Sequence, residues 1–105
     1  MKIPEILPEE SEVLKDALQC FGHKSQEDMM IEEMSELAKA ILKCRRSCYC
    51  DIDALNNTIE EMVDVYIMLL QMYYSFCYDK KAKAYFGEML HKKIARLEER
   101  VKNYG

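Results

Sequence analysis

The chain of 105 residues contains no tryptophan, only three glycines and only two prolines. Glycine and proline are the residues that most readily interrupt a helix, so their scarcity favours long helices. Half of the residues are hydrophobic, and leucine, methionine, glutamate and lysine are frequent. This length is typical of one domain. We therefore expect a single all-α domain over residues 1–105, built as a bundle of four main helices.

An excess of positive charge and a long apolar run are also missing. The net charge of −4 argues against a protein that binds polyanions, and we expect no nucleic-acid partner. The longest apolar run, 62–78, is interrupted by Asp64, Gln71 and Ser75, which favours a buried helix over a membrane span. The opening residues 1–5 lack the apolar core of a signal peptide. These patterns predict a cytoplasmic protein with no membrane partner.

Charge is unevenly distributed along the chain. Residues 1–64 hold 15 acids and 7 bases, whereas residues 65–105 hold 4 acids and 8 bases. An acidic half could gather cations, and a basic half could meet phosphates. Solvated helix faces would explain the same counts, so composition alone leaves both interpretations open.

The five cysteines are an odd number, and without a secretory signal we expect reduced thiols. Cys44, Cys48 and Cys50 lie close together in the sequence. A tetrahedral zinc site would need a fourth ligand and a more usual spacing. Whether these three residues bind anything stays open.

Apolar residues recur at helical spacing in four segments, which predicts helices over 9–21, 26–46, 54–78 and 82–103. Gly22 is expected to end the first helix, because glycine readily adopts positive φ. Ser25 and Asp53 are the predicted N-caps of the second and third helices. Gly87 is expected to mark a local break early in the fourth helix.

Two of these helices carry the same acidic pattern, Glu-Glu-x-x-acid. It occurs within residues 31–37 and again within residues 59–66, where it runs into an apolar stretch. Residues three apart share a helix face, so the second and third acids of each pattern form a pair. The first acid of each pattern points away towards solvent on a helical wheel. These outward acids are Glu32 and Glu60.

The two acid pairs are Glu33 with Glu36 and Glu61 with Asp64. On the wheel the first pair flanks an apolar stripe, Glu61 lies within one, and Asp64 lies at its edge. Carboxylates held at an apolar surface are unfavourable unless they are paired or bind a cation. Mg²⁺ prefers such oxygen ligands. The pattern therefore predicts a magnesium site, although acids on helices are often only solvated.

The paired motifs resemble the MazG-like family of all-α nucleoside triphosphate pyrophosphohydrolases. The family signature is Glu-x-x-Glu, a spacer, and then Glu-x-x-Asp. Here it reads Glu33-Met-Ser-Glu36, a spacer of 24 residues, and Glu61-Met-Val-Asp64. A leucine follows the first pair, and an apolar run follows the second. The resemblance extends over residues 26–101.

This resemblance implies Mg²⁺-dependent cleavage of a nucleoside triphosphate to the monophosphate and pyrophosphate, with Mn²⁺ as a substitute ion. It makes the four paired acids both metal ligands and catalytic residues. One of these acids, or an acid near them, would orient or deprotonate the attacking water. Lys93 and Arg96 match the family's phosphate-binding Asn-x-Lys-x-x-Arg, but His91 replaces its asparagine. Family members form dimers or tetramers, so we expect a homodimer or homotetramer whose site is built within the oligomer.

Two other classes compete with this interpretation. A non-catalytic helical interaction module would not need the acids. A di-iron four-helix protein would use two Glu-x-x-His elements. Glu88 and His91 supply one such element, but His23 has no glutamate three residues before it. The base of the substrate is not indicated, because the tyrosines that could stack on it suit a core or an interface equally well.

Overall fold

A computed structural model describes residues 2–105. Within them it contains four helices and no strand, which confirms the all-α prediction. The helices are α1 (Pro8–Phe21), α2 (His23–Arg46), α3 (Ile52–Phe76) and α4 (Lys80–Lys102). The chain divides into two compact units, one ending at Ser75 and one spanning Phe76–Gly105. The single domain over 1–105 stays a prediction. Among the described residues, no helix has the length and apolar character needed to cross a membrane.

The junction between α1 and α2 is tighter than predicted. Gly22 has a φ of +91°, and it ends α1 as expected. Its N–H donates to the Leu18 carbonyl at 2.9 Å, while its own carbonyl accepts from the Gln26 N–H at 3.1 Å. One glycine therefore closes α1 and opens α2, which begins at His23. The predicted Ser25 cap is wrong, because Ser25 already lies inside the first turn of α2.

The start of α3 also differs from the prediction. The Asp51 carboxylate accepts from the N–H groups of Asp53 at 3.0 Å and Ala54 at 3.3 Å. A carboxylate two or three residues ahead of unpaired helical N–H groups is an N-cap. The predicted Asp53 cap is therefore wrong, since Asp53 lies within α3 and Asp51 serves that role.

The fourth helix is capped at its start and continuous thereafter. The Asp79 side chain accepts from the Ala82 N–H at 2.8 Å, so α4 begins at Lys80. The helix then runs through Gly87 to Lys102. The predicted break at Gly87 is wrong, because one glycine lowers helix propensity by only about 1 kcal/mol and well-formed helix lies on both sides.

The small core of the first unit holds α2 close to α3. Ala40 and Cys44 on α2 and Ala54 on α3 are all buried, and such small side chains allow two helix backbones to approach. The Thr58 hydroxyl donates to the Ala54 carbonyl at 2.8 Å and lies 3.3 Å from the Ala40 carbonyl. α1 packs against α2 and buries Leu14 and Leu18. The acids of α2 and α3 therefore lie on two helices that contact each other.

Candidate metal centre

Three of the four predicted acids lie together in the first unit. Glu33 comes from α2, and Glu61 and Asp64 come from α3. One carboxylate oxygen from each lies within 4.8 Å of the other two. The spacing of three on α3 puts Glu61 and Asp64 on neighbouring positions of one helix face. The packing of α2 against α3 then brings Glu33 to the same place.

Glu61 lies on the buried face of α3. It is seven residues from both Ala54 and Met68, so the three share the face of α3 that is buried. Its Oε2 atom is buried and has no hydrogen-bond partner among the described residues. A desolvated carboxylate oxygen without a donor is unfavourable. A bound cation would satisfy it, and an all-oxygen donor set is what hard cations such as Mg²⁺ select.

Electrostatics at Glu33 agree with a concentrated negative charge. The pKa of Glu33 is raised above its ordinary value of 4.5, first by partial loss of hydration. The charges of Asp64 and Glu61 raise it further, followed by those of Glu32 and Glu36. Like charges that cannot separate favour the protonated form of one member. The site therefore has a deficit of positive charge that a divalent ion would remove.

Glu36 stands apart from the other three acids. Its side chain is exposed, and its Oε1 lies 3.5 Å from the Lys39 ammonium one turn later on α2. Exposed pairs of this kind contribute only about 0.3–0.5 kcal/mol. The structure thus groups Glu33 with Glu61 and Asp64, and it leaves Glu36 in a weak local ion pair.

Two recesses adjoin the grouped carboxylates, and both include Asp64. The smaller one has a volume of about 150 Å³ and is lined by Glu33, Asp64, Ile67 and Met68. The larger has a volume of about 390 Å³, and it is lined by Asn57, Ile59, Glu60, Glu61, Val63 and Asp64. Asp64 is exposed and lines both recesses.

The predicted phosphate contacts lie in the second unit. Lys93 and Arg96 are both exposed on α4. They line one depression of about 480 Å³ together with Met89, Lys92, Ala95, Glu98 and Glu99. Their spacing of three puts both cationic groups on one side of the helix.

The competing metal sites find less support. Among residues 2–105 the carboxylate group described above is the one cluster of three potential ligands, and it contains neither histidine nor cysteine. Cys44 is buried while Cys48 and Cys50 are exposed. Glu88 and His91, the candidate di-iron pair, lie on α4 in the second unit.

Sequence reasoning missed one buried polar residue on α3. Gln71, one turn beyond Met68 on α3, is only 4% exposed. Its amide nitrogen donates to the Met68 sulfur at 3.7 Å, while its carbonyl oxygen is buried and has no hydrogen-bond partner in the described chain. The sequence contains a signal for this burial, because Gln71 is one of the few polar residues in the apolar run 62–78.

Two of the tyrosines considered for base stacking pack inside the first unit. The rings of Tyr73 and Tyr74 meet edge to face, with centroids 5.7 Å apart. The Lys15 ammonium lies 5.1 Å from the centre of the Tyr74 ring. These contacts favour a packing role for both residues. Tyr66 is more exposed, at 42%.

No protein-family model matches this chain, and neither a curated protein nor a solved structure does. The group of Glu33, Glu61 and Asp64 is therefore the feature on which a function has to rest. It is a group of three carboxylates beside two recesses.

Proposed function

We propose that this protein is an Mg²⁺-dependent nucleoside triphosphate pyrophosphohydrolase of the MazG-like kind. It would cleave a nucleoside or deoxynucleoside triphosphate to the monophosphate and pyrophosphate. One observation carries the proposal: carboxylate oxygens of Glu33, Glu61 and Asp64 lie within 4.8 Å of one another. These are three of the four acids in the motifs that resemble that family.

The metal would be held by Glu33, Glu61 and Asp64, with Glu36 as the fourth ligand in place of its weak pair with Lys39. The buried, unpaired Oε2 of Glu61 supports this assignment. When bound, Mg²⁺ neutralises phosphate charge and makes a nearby water a better nucleophile. Mn²⁺ would be an acceptable substitute, because it accepts the same oxygen ligands.

The remaining tasks fall to the protein's own side chains. One of the four acids would accept the proton of the water that attacks the α-phosphorus. Lys93 and Arg96 would bind the phosphates, since guanidinium and ammonium groups form charge-assisted hydrogen bonds with phosphate oxygens. The basic composition of residues 65–105 supports this role, with 8 bases against 4 acids.

The proposal includes an oligomer, a homodimer or homotetramer in which the site is completed between copies. An uncovered face of α3 supports it. Four apolar residues of α3 are each more than two-fifths exposed, and they are Ile59, Met62, Val63 and Tyr66. A contiguous apolar surface of this kind is typical of an interface. A second copy of the chain is the partner we propose.

The test is a screen of common and modified nucleoside triphosphates for pyrophosphate release. We expect at least one of them to yield monophosphate and pyrophosphate in a 1:1 ratio with Mg²⁺, and none with excess chelator. Glu61→Gln should abolish the release while circular dichroism shows the same helix content. Release that persists without divalent ions, or at full rate in Glu61→Gln, would contradict the proposal.

The uncovered apolar faces also suit a helical interaction module without activity. The response of the melting temperature to Mg²⁺ distinguishes the enzyme from the interaction module. A metal-dependent enzyme should melt at a higher temperature in Mg²⁺, because a ligand that binds only the folded state stabilises it. A melting temperature that does not respond to Mg²⁺, combined with no turnover, would favour the module.

A further inference from the structure

The link between α2 and α3 holds two exposed cysteines that the proposed function does not use. They are Cys48 and Cys50, separated by one residue, and the whole link belongs to the first unit. The other three cysteines are placed differently. Cys44 is buried on α2, Cys20 lies on α1, and Cys77 lies in the second unit. Cys48 and Cys50 are therefore the two exposed thiols that neighbour each other along the chain.

The backbone around these two cysteines forms a tight turn. The Cys50 N–H donates to the Ser47 carbonyl at 3.1 Å. The two residues between them, Cys48 and Tyr49, have φ values of +55° and +62°. A four-residue turn with positive φ at both central positions is of type I′, and glycine, asparagine or aspartate normally occupies these positions. Larger side chains are strained there, so cysteine and tyrosine adopt this turn against their own backbone preference.

Hydrogen bonds to the end of α2 hold the turn in place. The Cys48 N–H donates to the Arg45 carbonyl at 2.9 Å. The Tyr49 N–H donates to the Cys44 carbonyl at 3.0 Å, and the Ser47 hydroxyl donates to the same carbonyl at 2.7 Å. The two backbone bonds form a Schellman motif, in which a left-handed residue closes a helix. The strained conformation of the turn is thus fixed by the helix end that precedes it.

The turn also brings the two cysteines towards each other. Cα atoms two positions apart are separated by at most about 7.2 Å in an extended chain, and a disulfide needs a separation of about 4.4–6.8 Å. The bend of the turn shortens the separation towards that range. The Cys50 thiol points back over the turn, because it donates to the Cys48 carbonyl at 3.4 Å. The reduced chain therefore holds both thiols on one preformed bend.

We propose that Cys48 and Cys50 are a redox-active dithiol that reacts with low-molecular-weight disulfides such as glutathione disulfide. One thiolate attacks the small disulfide, which forms a mixed disulfide on the protein and releases one small thiol. The thiolate of the other cysteine then attacks the protein sulfur of the mixed disulfide and releases the second small thiol. The protein loses two electrons and two protons, and the small disulfide gains them. This inference does not rest on the proposed enzymatic function.

The bond that this reaction forms is expected to be reversible. A disulfide between cysteines two positions apart closes a small ring, and strain of this kind makes the bond easier to reduce. Strained or exposed disulfides are the labile, regulatory ones. In a reducing compartment such bonds form transiently and respond to the redox state. We therefore expect Cys48 and Cys50 to follow the thiol–disulfide balance and not to form a permanent bridge.

The first test treats the full chain with mixtures of glutathione and glutathione disulfide, quenches it with acid and alkylates the free thiols. Cleavage after Arg46 and before Asp51 then isolates residues 47–50 and separates Cys48 and Cys50 from the other cysteines. In the most oxidising mixture, we expect mass spectrometry to show that this tetrapeptide has lost two hydrogen atoms. A tetrapeptide recovered without that loss, whether reduced or as mixed disulfides with glutathione, overturns the proposal.

Two variants show which cysteines carry the reaction. Cys48→Ser leaves one thiol in the tetrapeptide, so the reaction should stop at the mixed disulfide on Cys50. Cys77→Ser is the matched control, because it removes a thiol of the second unit and should leave closure unchanged. If Cys77→Ser prevents closure, the bond depends on a thiol outside the turn and the proposal fails.

The last test distinguishes the folded turn from mere closeness of the two cysteines in the sequence. The equilibrium constant for closure with glutathione disulfide is measured for the native chain and for the chain unfolded in urea. We expect a constant at least about tenfold larger for the native chain, because the folded turn already holds the backbone bent and closure loses less conformational freedom. Equal constants, or a larger one in urea, would show that the turn does not promote closure, and the assignment of a redox site would be wrong.

Discussion

The two units of the chain differ in what they bury and in the charge they carry. Every buried residue of the described chain belongs to the first unit, whereas α4 buries none. The first unit holds 15 acids against 7 bases, and the second holds 4 acids against 8 bases. The first unit thus has a packed core with concentrated negative charge, and the second has an apolar stripe with surrounding positive charge. The negative charge of the first unit suits a cation. The positive charge of the second unit suits an anionic substrate, and its exposed apolar stripe suits a protein partner such as a second copy.

The largest expected effect is the loss of the activity proposed for the carboxylates of the first unit. Asp64→Asn deletes the charge of the acid that lines both recesses. We expect the rate of pyrophosphate release to fall at least a hundredfold, because a carboxylate of the ion-binding set is lost. Steady-state kinetics with Mg²⁺ would measure it.

The control for Asp64→Asn is Asp28→Asn, which deletes a charge from an exposed acid of α2. Asp28 lines neither recess and is not one of the three grouped acids. An equal loss of activity in both variants would show that overall acidity matters rather than the grouped carboxylates.

The difference in burial predicts unequal contributions to stability. Leu18 is 5% exposed in the first unit, and Leu18→Ala should lower the free energy of unfolding by about 2–5 kcal/mol. Leu90 is 48% exposed on α4, and Leu90→Ala should lower it by less than about 1 kcal/mol in dilute, monomeric protein. Urea unfolding measures both. Similar losses would mean that α4 packs more tightly than its exposure indicates.

A smaller effect on kcat/KM is expected for the phosphate contact proposed in the second unit. Arg96→Ala removes a proposed phosphate contact, and a hydrogen bond to a charged group contributes about 1.5–3 kcal/mol. We therefore expect kcat/KM to fall by about ten- to a hundredfold. Arg100→Ala removes the same charge from the next turn of α4 and should change kcat/KM by less than about threefold. An unchanged value in Arg96→Ala would remove this residue from the proposed site.

Helix type and number were predictable because hydrophobic periodicity and the scarcity of glycine and proline are local properties of the chain. The caps were less predictable, because neighbouring residues compete for the same N–H groups. Asp51 lies ahead of the unpaired groups of α3 and displaces Asp53 from this role. Gly22 takes the junction that Ser25 was expected to occupy, since its positive φ reverses the chain without a further residue.

In the candidate site, positions within one helix were predictable from the sequence, whereas the contact between two helices was not. The spacing of three predicted that Glu61 and Asp64 would share a face, and they do. Glu33 was expected to act with Glu36, but Glu36 is exposed, lies 3.5 Å from Lys39 and is not among the three grouped acids. Glu33 lies beside the α3 acids because of where α2 contacts α3, and the helical wheel of either segment does not contain that information.

The smallest expected effect concerns the pH dependence of stability in protein stripped of divalent ions. Because the folded-state pKa of Glu33 is raised, the folded chain binds this proton more tightly than the unfolded chain does. The resulting stabilisation is fully present below the ordinary value of 4.5, and it is lost as the pH rises through the raised pKa. The melting temperature of the wild type in chelator should therefore decline across this window more steeply than that of Glu33→Gln.

Glu32→Gln is the control for this last comparison, because Glu32 is a lesser cause of the raised pKa and lies outside the grouped acids. It should flatten the pH profile less than Glu33→Gln does. Addition of Mg²⁺ should raise the wild-type melting temperature most at the upper end of the window, where Glu33 is ionised and its repulsion is greatest. Parallel profiles of melting temperature against pH for Glu33→Gln and the wild type in chelator would contradict this expectation. Glu33 would then not experience the charges of Glu61 and Asp64. The concentrated negative charge of the first unit would not be localised at these three acids.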